Sequence, residues 1–224
     1  MTVQEVHAWL AAHASDRIRE EMAPRYGIVA GKARGVAMAD MQRLARGIGR
    51  DHALALKLWD TGWYEARLVA CMIDDPAQVT PEQMDAWRAD FENWAEVDTV
   101  CFKLFDQVPH AFAKVGEWAR LNDEMGKRAA FALLASLALH GEAGKDEAFF
   151  LDGLRLIEAA AADDRNFVRK GVSWALRAIG GKKSPALRAA ARAVAARLAA
   201  SSNAAERWVG KDAARAFARA DKAA

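Results

Sequence analysis

Apolar positions along the chain recur at helical spacing, in segments of about 10 to 18 residues divided by short polar links. In residues 3–14, Val6, Trp9, Leu10 and His13 form one stripe. Ser15 and Asp16 are good N-caps for a second helix that ends near Pro24. Residues 25–35 carry three glycines and read as a structured loop with a short turn. The stripe Val36, Met38, Met41, Leu44, Ala45 and Ile48 then closes at Gly49. From Asp51 the pattern becomes a succession of helix pairs, 51–60 with 62–73, broken at Asp74-Asp75-Pro76. Thr80 caps the next helix, with Pro81 at its first position and Gln83 where a capping box requires it, and this helix runs to about Asn93. Trp94 opens a helix reaching Val108, and Phe112, Val115 and Trp118 mark another. Segments 125–140, 146–162, 166–179, 185–200 and 204–220 complete the series, with a glycine-containing loop after His140 and with Ser184 and Asn203 as caps.

Helix pairs repeating roughly every 30 to 45 residues are the pattern of an all-α, HEAT-like superhelix, a solenoid of antiparallel helix pairs. Its concave groove takes one helix from each repeat, so residues distant in sequence line one surface. A globular all-α bundle has the same periodicity and stays open. The composition, Ala-rich and charged with only five Pro and two Tyr, favours helix throughout. At 224 residues the chain buries enough apolar surface without staples. It is expected as a single repeat domain over 1–224, its helices in 1–24 and its loop 25–35 capping the array. Cys71 and Cys101 sit inside apolar helical patterns, which suits a reducing compartment. No basic leader opens the chain and no run approaches about 18 apolar residues, so a cytoplasmic protein with no membrane partner is expected. Net charge is only +2, but residues 1–112 hold 12 basic and 17 acidic side chains, a net of −5, against 20 and 13, a net of +7, in 113–224. The second half therefore carries either a phosphate-facing patch or a solvated basic face.

His7, His13, His52, His110 and His140 lack metal-ligand spacing, and no cofactor or metal is expected. Gly180-Gly181-Lys182-Lys183-Ser184 is not a phosphate loop, because Leu176 stands where the earlier glycine belongs and a helix precedes it. No serine or cysteine nucleophile sits in a recognisable turn. What remains is Trp94 with Asp98, four apart on one helix face, then Arg128, then Trp174 with Arg177, three apart on another. Each residue alone reads equally as core or as solvated charge. Together, two indoles, a carboxylate and two guanidinium groups match the needs of holding a cationic, damaged nucleotide on one nucleic-acid surface. Trp59, Trp63, Tyr64, Arg67 and Trp87 form a region read mainly as core, with Arg67 a candidate groove residue. Arg165, Arg169 and Lys170, and Lys211 in Arg207-Trp208-Val209-Gly210-Lys211, are candidate phosphate contacts or solvated helix ends.

Trp94-x-x-x-Asp98-Thr99, Arg128-Ala129-Ala130-Phe131 and Lys170 to Arg177, in that order, resemble the motifs of the DNA alkylation repair glycosylases of the AlkD type, built from HEAT-like repeats. The resemblance spans about Met22 to Arg215. It implies a monomeric, metal-free glycosylase that excises N3- and N7-alkylated purines from double-stranded DNA without a lyase step. Asp98, Trp94 and Trp174 would be its catalytic residues and Arg128 and Arg177 its backbone contacts, with Lys170, Arg169 and Lys211 the candidate DNA contacts read from the residues themselves. The chain departs from the family at Ser136, where the family carries a lysine, and at its groove tyrosine, for which Tyr26 is the candidate. A noncatalytic DNA-structure-binding HEAT-like protein is the alternative reading, and a HEAT-type protein scaffold the third.

Overall fold

Helix starts are set by side chains that accept the otherwise orphaned N–H groups of a first turn. The computed structural model describes residues 1–141 and 147–223, and the regular structure among them is thirteen α-helices and one 3-10 turn. Met1–Pro109 forms one compact unit and His110–Ala224 a second. The first unit holds α1 (Val3–Ala12), α2 (Asp16–Tyr26), α3 (Met38–Ile48), α4 (His52–Trp59), α5 (Tyr64–Ile73), α6 (Pro81–Ala89), α7 (Trp94–Lys103) and the turn Phe105–Gln107. Thr2, Ser15, Asp51, Thr80 and Asn93 cap α1, α2, α4, α6 and α7. The second unit holds α8 (Ala111–Trp118), α9 (Glu124–His140), α10 (Glu147–Ala160), α11 (Asn166–Gly180), α12 (Pro185–Ala199) and α13 (Ala204–Ala223). Asp123, Ser184 and Asn203 accept from the first turns of α9, α12 and α13.

Boundaries differ from expectation where a tertiary bond outweighs local pattern. α2 continues past Pro24 to Tyr26 and stops where Gly27 enters the left-handed region at φ 64°. Pro24 lies in the last turn, where a missing N–H deletes one bond without interrupting a longer ladder. α6 ends at Ala89, well before Asn93, because Asp90 is drawn into other contacts. Its carboxylate accepts from Trp59 Nε1 at 2.8 Å and its carbonyl from Arg67 Nη1 at 2.9 Å. α7 stops at Lys103, short of Val108, as Leu104 and Phe105 turn fully into the core. Gln83 leaves its expected capping box open and donates to Asp74 Oδ2 at 2.7 Å, helping to satisfy a carboxylate with no exposure. The expected loop after His140 and the expected helix start at Asp146 lie on 142–146, outside the described residues.

Within each unit alternate helices stack. In the first, α5 packs on α3, α4 and α7 and is buried over nearly its whole length. In the second, α9, α11 and α13 form one row and α10 bridges α8 and α12 in another. α9 is buried continuously from Arg128 to Ala138, which is why its apolar residues show no single stripe. Phe131, Leu133 and Leu134 have no exposed surface, and each such side chain contributes about 1.5–3 kcal/mol. Cys71 and Cys101 are buried thiols, not joined in a disulfide. No helix among the described residues is long and apolar enough to cross a membrane.

Candidate nucleic-acid interface

The helical repeat of α7 sets Trp94, Asp98 and Phe102 along one partly exposed edge while Ala95, Glu96, Val97, Val100 and Cys101 face inward. The two acids of this helix are thereby separated. Glu96 is 1% exposed, accepts from Glu92 N at 2.9 Å and lies 3.7 Å from Arg67 Nη1. Burial outweighs those interactions and pushes its carboxyl up to about 7. Asp98 remains on the edge beside Trp94.

The start of α7 is fastened to the loop between α2 and α3. Trp94 Nε1 donates to Tyr26 O at 3.0 Å, Asn93 Nδ2 to Val29 O at 3.2 Å, and Gly31 N to Glu92 Oε2 at 2.7 Å. Farther along, Glu65 Oε1 accepts from Arg34 N, Gly35 N and Val36 N at 2.8, 2.7 and 3.3 Å. Gly35 sits at φ 75°, and a Cβ there would fall 2.3 Å from Ser15 O. The Arg34 guanidinium lies 3.8 Å from the Trp63 ring centre. Tyr26 is exposed, and its carbonyl is the partner of Trp94.

In the second unit, Lys170, Trp174 and Arg177 share one face of α11, with Lys170 and Arg177 exposed and Trp174 partly so. Arg177 Nε lies 3.5 Å from Asp212 Oδ2, which also accepts from Ser173 Oγ at 2.6 Å. Arg177, Lys182 and Lys183 line a hollow of about 390 Å³. Arg169 places its guanidinium 4.4 Å from the ring centre of Trp208 on α13. Lys211 is exposed on α13, the third helix of the row. Arg128 is only 5% exposed, and its Nη1 donates to Phe167 O at 2.8 Å, tying α9 to the first turn of α11.

Of the upstream aromatic region, Trp59, Tyr64 and Trp87 are core, as expected, with the Trp59 and Trp87 rings stacked at 4.0 Å, whereas Trp63 is only partly buried beneath Arg34. Arg67 is buried with them and bound to the 90–96 segment, so it offers no groove contact. Arg165 chelates Asp163, whose carboxyl it holds down at about 2, and donates to Asn122 O. Arg207 Nη1 donates to the Ser201 and Ser202 carbonyls, closing off the start of α13. Ser136 is fully buried within α9 and presents no surface. Sequence reasoning overlooked the Glu92-Asn93 fastening, though Asn93 followed three residues later by Glu96 is a legible helix-start signal. It also overlooked a second hollow of about 390 Å³ carrying Arg46, Arg50 and Lys103.

Residues 6–217 match the family model described as DNA alkylation repair enzyme. No curated protein matches the sequence. A solved structure described as "a new family of proteins related to the HEAT-like repeat DNA glycosylases with affinity for branched DNA structures" aligns with a TM-score of 0.79 at 19% identity, covering 96% of this chain and 95% of that chain. At that identity the likeness is one of fold, and it bears out the all-helical, HEAT-like architecture read from the periodicity.

Proposed function

Since this chain belongs to the DNA alkylation repair enzyme family, we propose that it is a DNA glycosylase hydrolysing the N-glycosidic bond of N3- or N7-alkylated purines in duplex DNA. The observation that carries the reading is the edge of α7, where a carboxylate and an indole lie one turn apart with surface to offer while the neighbouring acid is buried. An alkylated purine is cationic and leaves with the bonding electron pair, which neutralises its ring. Positive charge then develops on the deoxyribose, where the Asp98 carboxylate stabilises it. Water adds at C1′ and loses a proton to Asp98 or to solvent. Trp94 supplies an aromatic face to the cationic base or sugar, and the motif that Trp174 resembles assigns that indole a like part. Lys170, Arg177 and Lys211, all exposed, hold phosphates, while Arg128 and Arg169 support the helices that present them. Two buried thiols suit work on DNA in a reducing cytoplasm, as a monomer.

Asp98→Asn removes the charge and keeps the shape. Release of 7-methylguanine and 3-methyladenine from alkylated duplex should fall by about 10² or more. DNA affinity should hold or improve, because a negative charge leaves a DNA-facing edge. Full base release by the variant would overturn the role given to the carboxylate. The second reading, a noncatalytic DNA-structure binder, is favoured by the branched-DNA affinity ascribed to the structural neighbour. It predicts no wild-type release above the spontaneous rate, together with tighter binding to junctions than to duplex.

A further inference from the structure

Three consecutive residues just ahead of Asp98 hold one stretch of backbone: Glu92 binds Gly31 N, Asn93 binds Val29 O and Trp94 binds Tyr26 O. The Trp94 indole is partly exposed, so packing encloses only some of it, and the bond to Tyr26 O at 3.0 Å adds a fixed direction. Behind this clasp sits Arg67 of α5, its side chain 9% exposed. Its Nη1 donates to Asp90 O at 2.9 Å and lies 3.5 Å from Glu92 Oε1 and 3.7 Å from Glu96 Oε1. One guanidinium thus gathers the link 90–92 and the first turn of α7. Without it, Glu92 and Glu96 would lose the cation they share. Glu92, 41% exposed, has solvent to turn towards, and turning would release Gly31 N.

We propose that Arg67 is a positioning residue for the Trp94 indole, acting through Glu92 and loop residues 26–31 to set the face Trp94 presents to the damaged nucleotide. The effect on chemistry rests on the glycosylase reading, whereas the geometry is internal to the protein.

The experiment uses the full chain as wild type, Arg67→Met, Arg67→Lys and Glu92→Ala. The exchange rate of the Trp94 indole N–H is followed by NMR, its signal assigned by its loss in Trp94→Phe, alongside single-turnover release of 7-methylguanine and DNA affinity. Arg67→Met and Glu92→Ala should each speed indole exchange about tenfold or more. They should slow release about tenfold, with affinity within about twofold. Arg67→Lys should recover part of both losses. Because Glu92 is substantially exposed, its variant remains informative even if Arg67→Met fails to fold. Unchanged indole exchange in a folded Glu92→Ala or Arg67→Met protein would overturn the proposal. If wild type releases no base, the glycosylase reading falls and the exchange rates alone decide the clasp.

Discussion

Glu96 and Asp98 flank Val97 in sequence and occupy different faces of α7. Glu96 has a folded-state pKa of about 7 against an ordinary value of 4.5, raised chiefly by burial. Between those values the folded state keeps a proton that the unfolded chain has released, so stability falls as pH rises through this window and stays lowered above it. Glu96→Gln removes that penalty. The variant should gain up to about 3 kcal/mol over wild type near pH 8, with the gain vanishing near pH 4.5. Urea denaturation at both pH values checks this, and an equal difference at the two would mean that Glu96 titrates as it does in water. Asp98 and Trp94 were legible as a pair because i,i+4 spacing fixes a shared face on any helix. The burial of Arg67 was not legible, since its partners at 90, 92 and 96 come from a link whose course depends on tertiary contacts.

Two glycines, both within helices, carry opposite expectations at the scale of elements. At Gly210 of α13 a Cβ would lie 2.2 Å from Ala199 N and 2.6 Å from Ala195 O, both backbone atoms of α12. Gly210→Ala must push the two helices apart and should cost about 2–3 kcal/mol. At Gly47 of α3 nothing lies within 4 Å of such a Cβ. Gly47→Ala should instead stabilise by about 0.4–1 kcal/mol by restricting the unfolded chain. Denaturant midpoints measured side by side test both, and a neutral Gly210→Ala would deny the close crossing. Helix existence was legible throughout, because caps such as Ser15, Asp51, Thr80 and Ser184 announce starts in sequence. Ends were less so. α6 and α7 both stop early for reasons lying in Asp90, Leu104 and Phe105, where long-range contacts outweigh periodicity.

For the whole molecule, the near-neutral total conceals two halves of opposite sign, −5 and +7. Exposed Lys170, Arg177 and Lys211 belong to the basic half. If four or so cations meet phosphates, duplex affinity should drop about 10²-fold between 50 and 200 mM salt, and Lys170→Ala should reduce the slope by about 1. A fluorescence-anisotropy titration measures both, and a flat profile would favour the protein scaffold. Repeat length made the all-helical class legible and favoured a HEAT-like array, whose helix pairs each leave an apolar face for a neighbour to cover, while the motif resemblance separated it from a globular bundle. The fastening of the α2–α3 loop has a further consequence, one of timing during synthesis. Its side-chain partners lie 29 to 68 positions downstream, from the Glu65 bonds to the Trp94 bond. The segment therefore leaves the ribosome with the Ser15 N to Arg34 O bond within reach but before the groups that fasten it to α5 and α7 exist. Trp94, the indole we propose for the DNA-facing edge, is also the last latch to arrive.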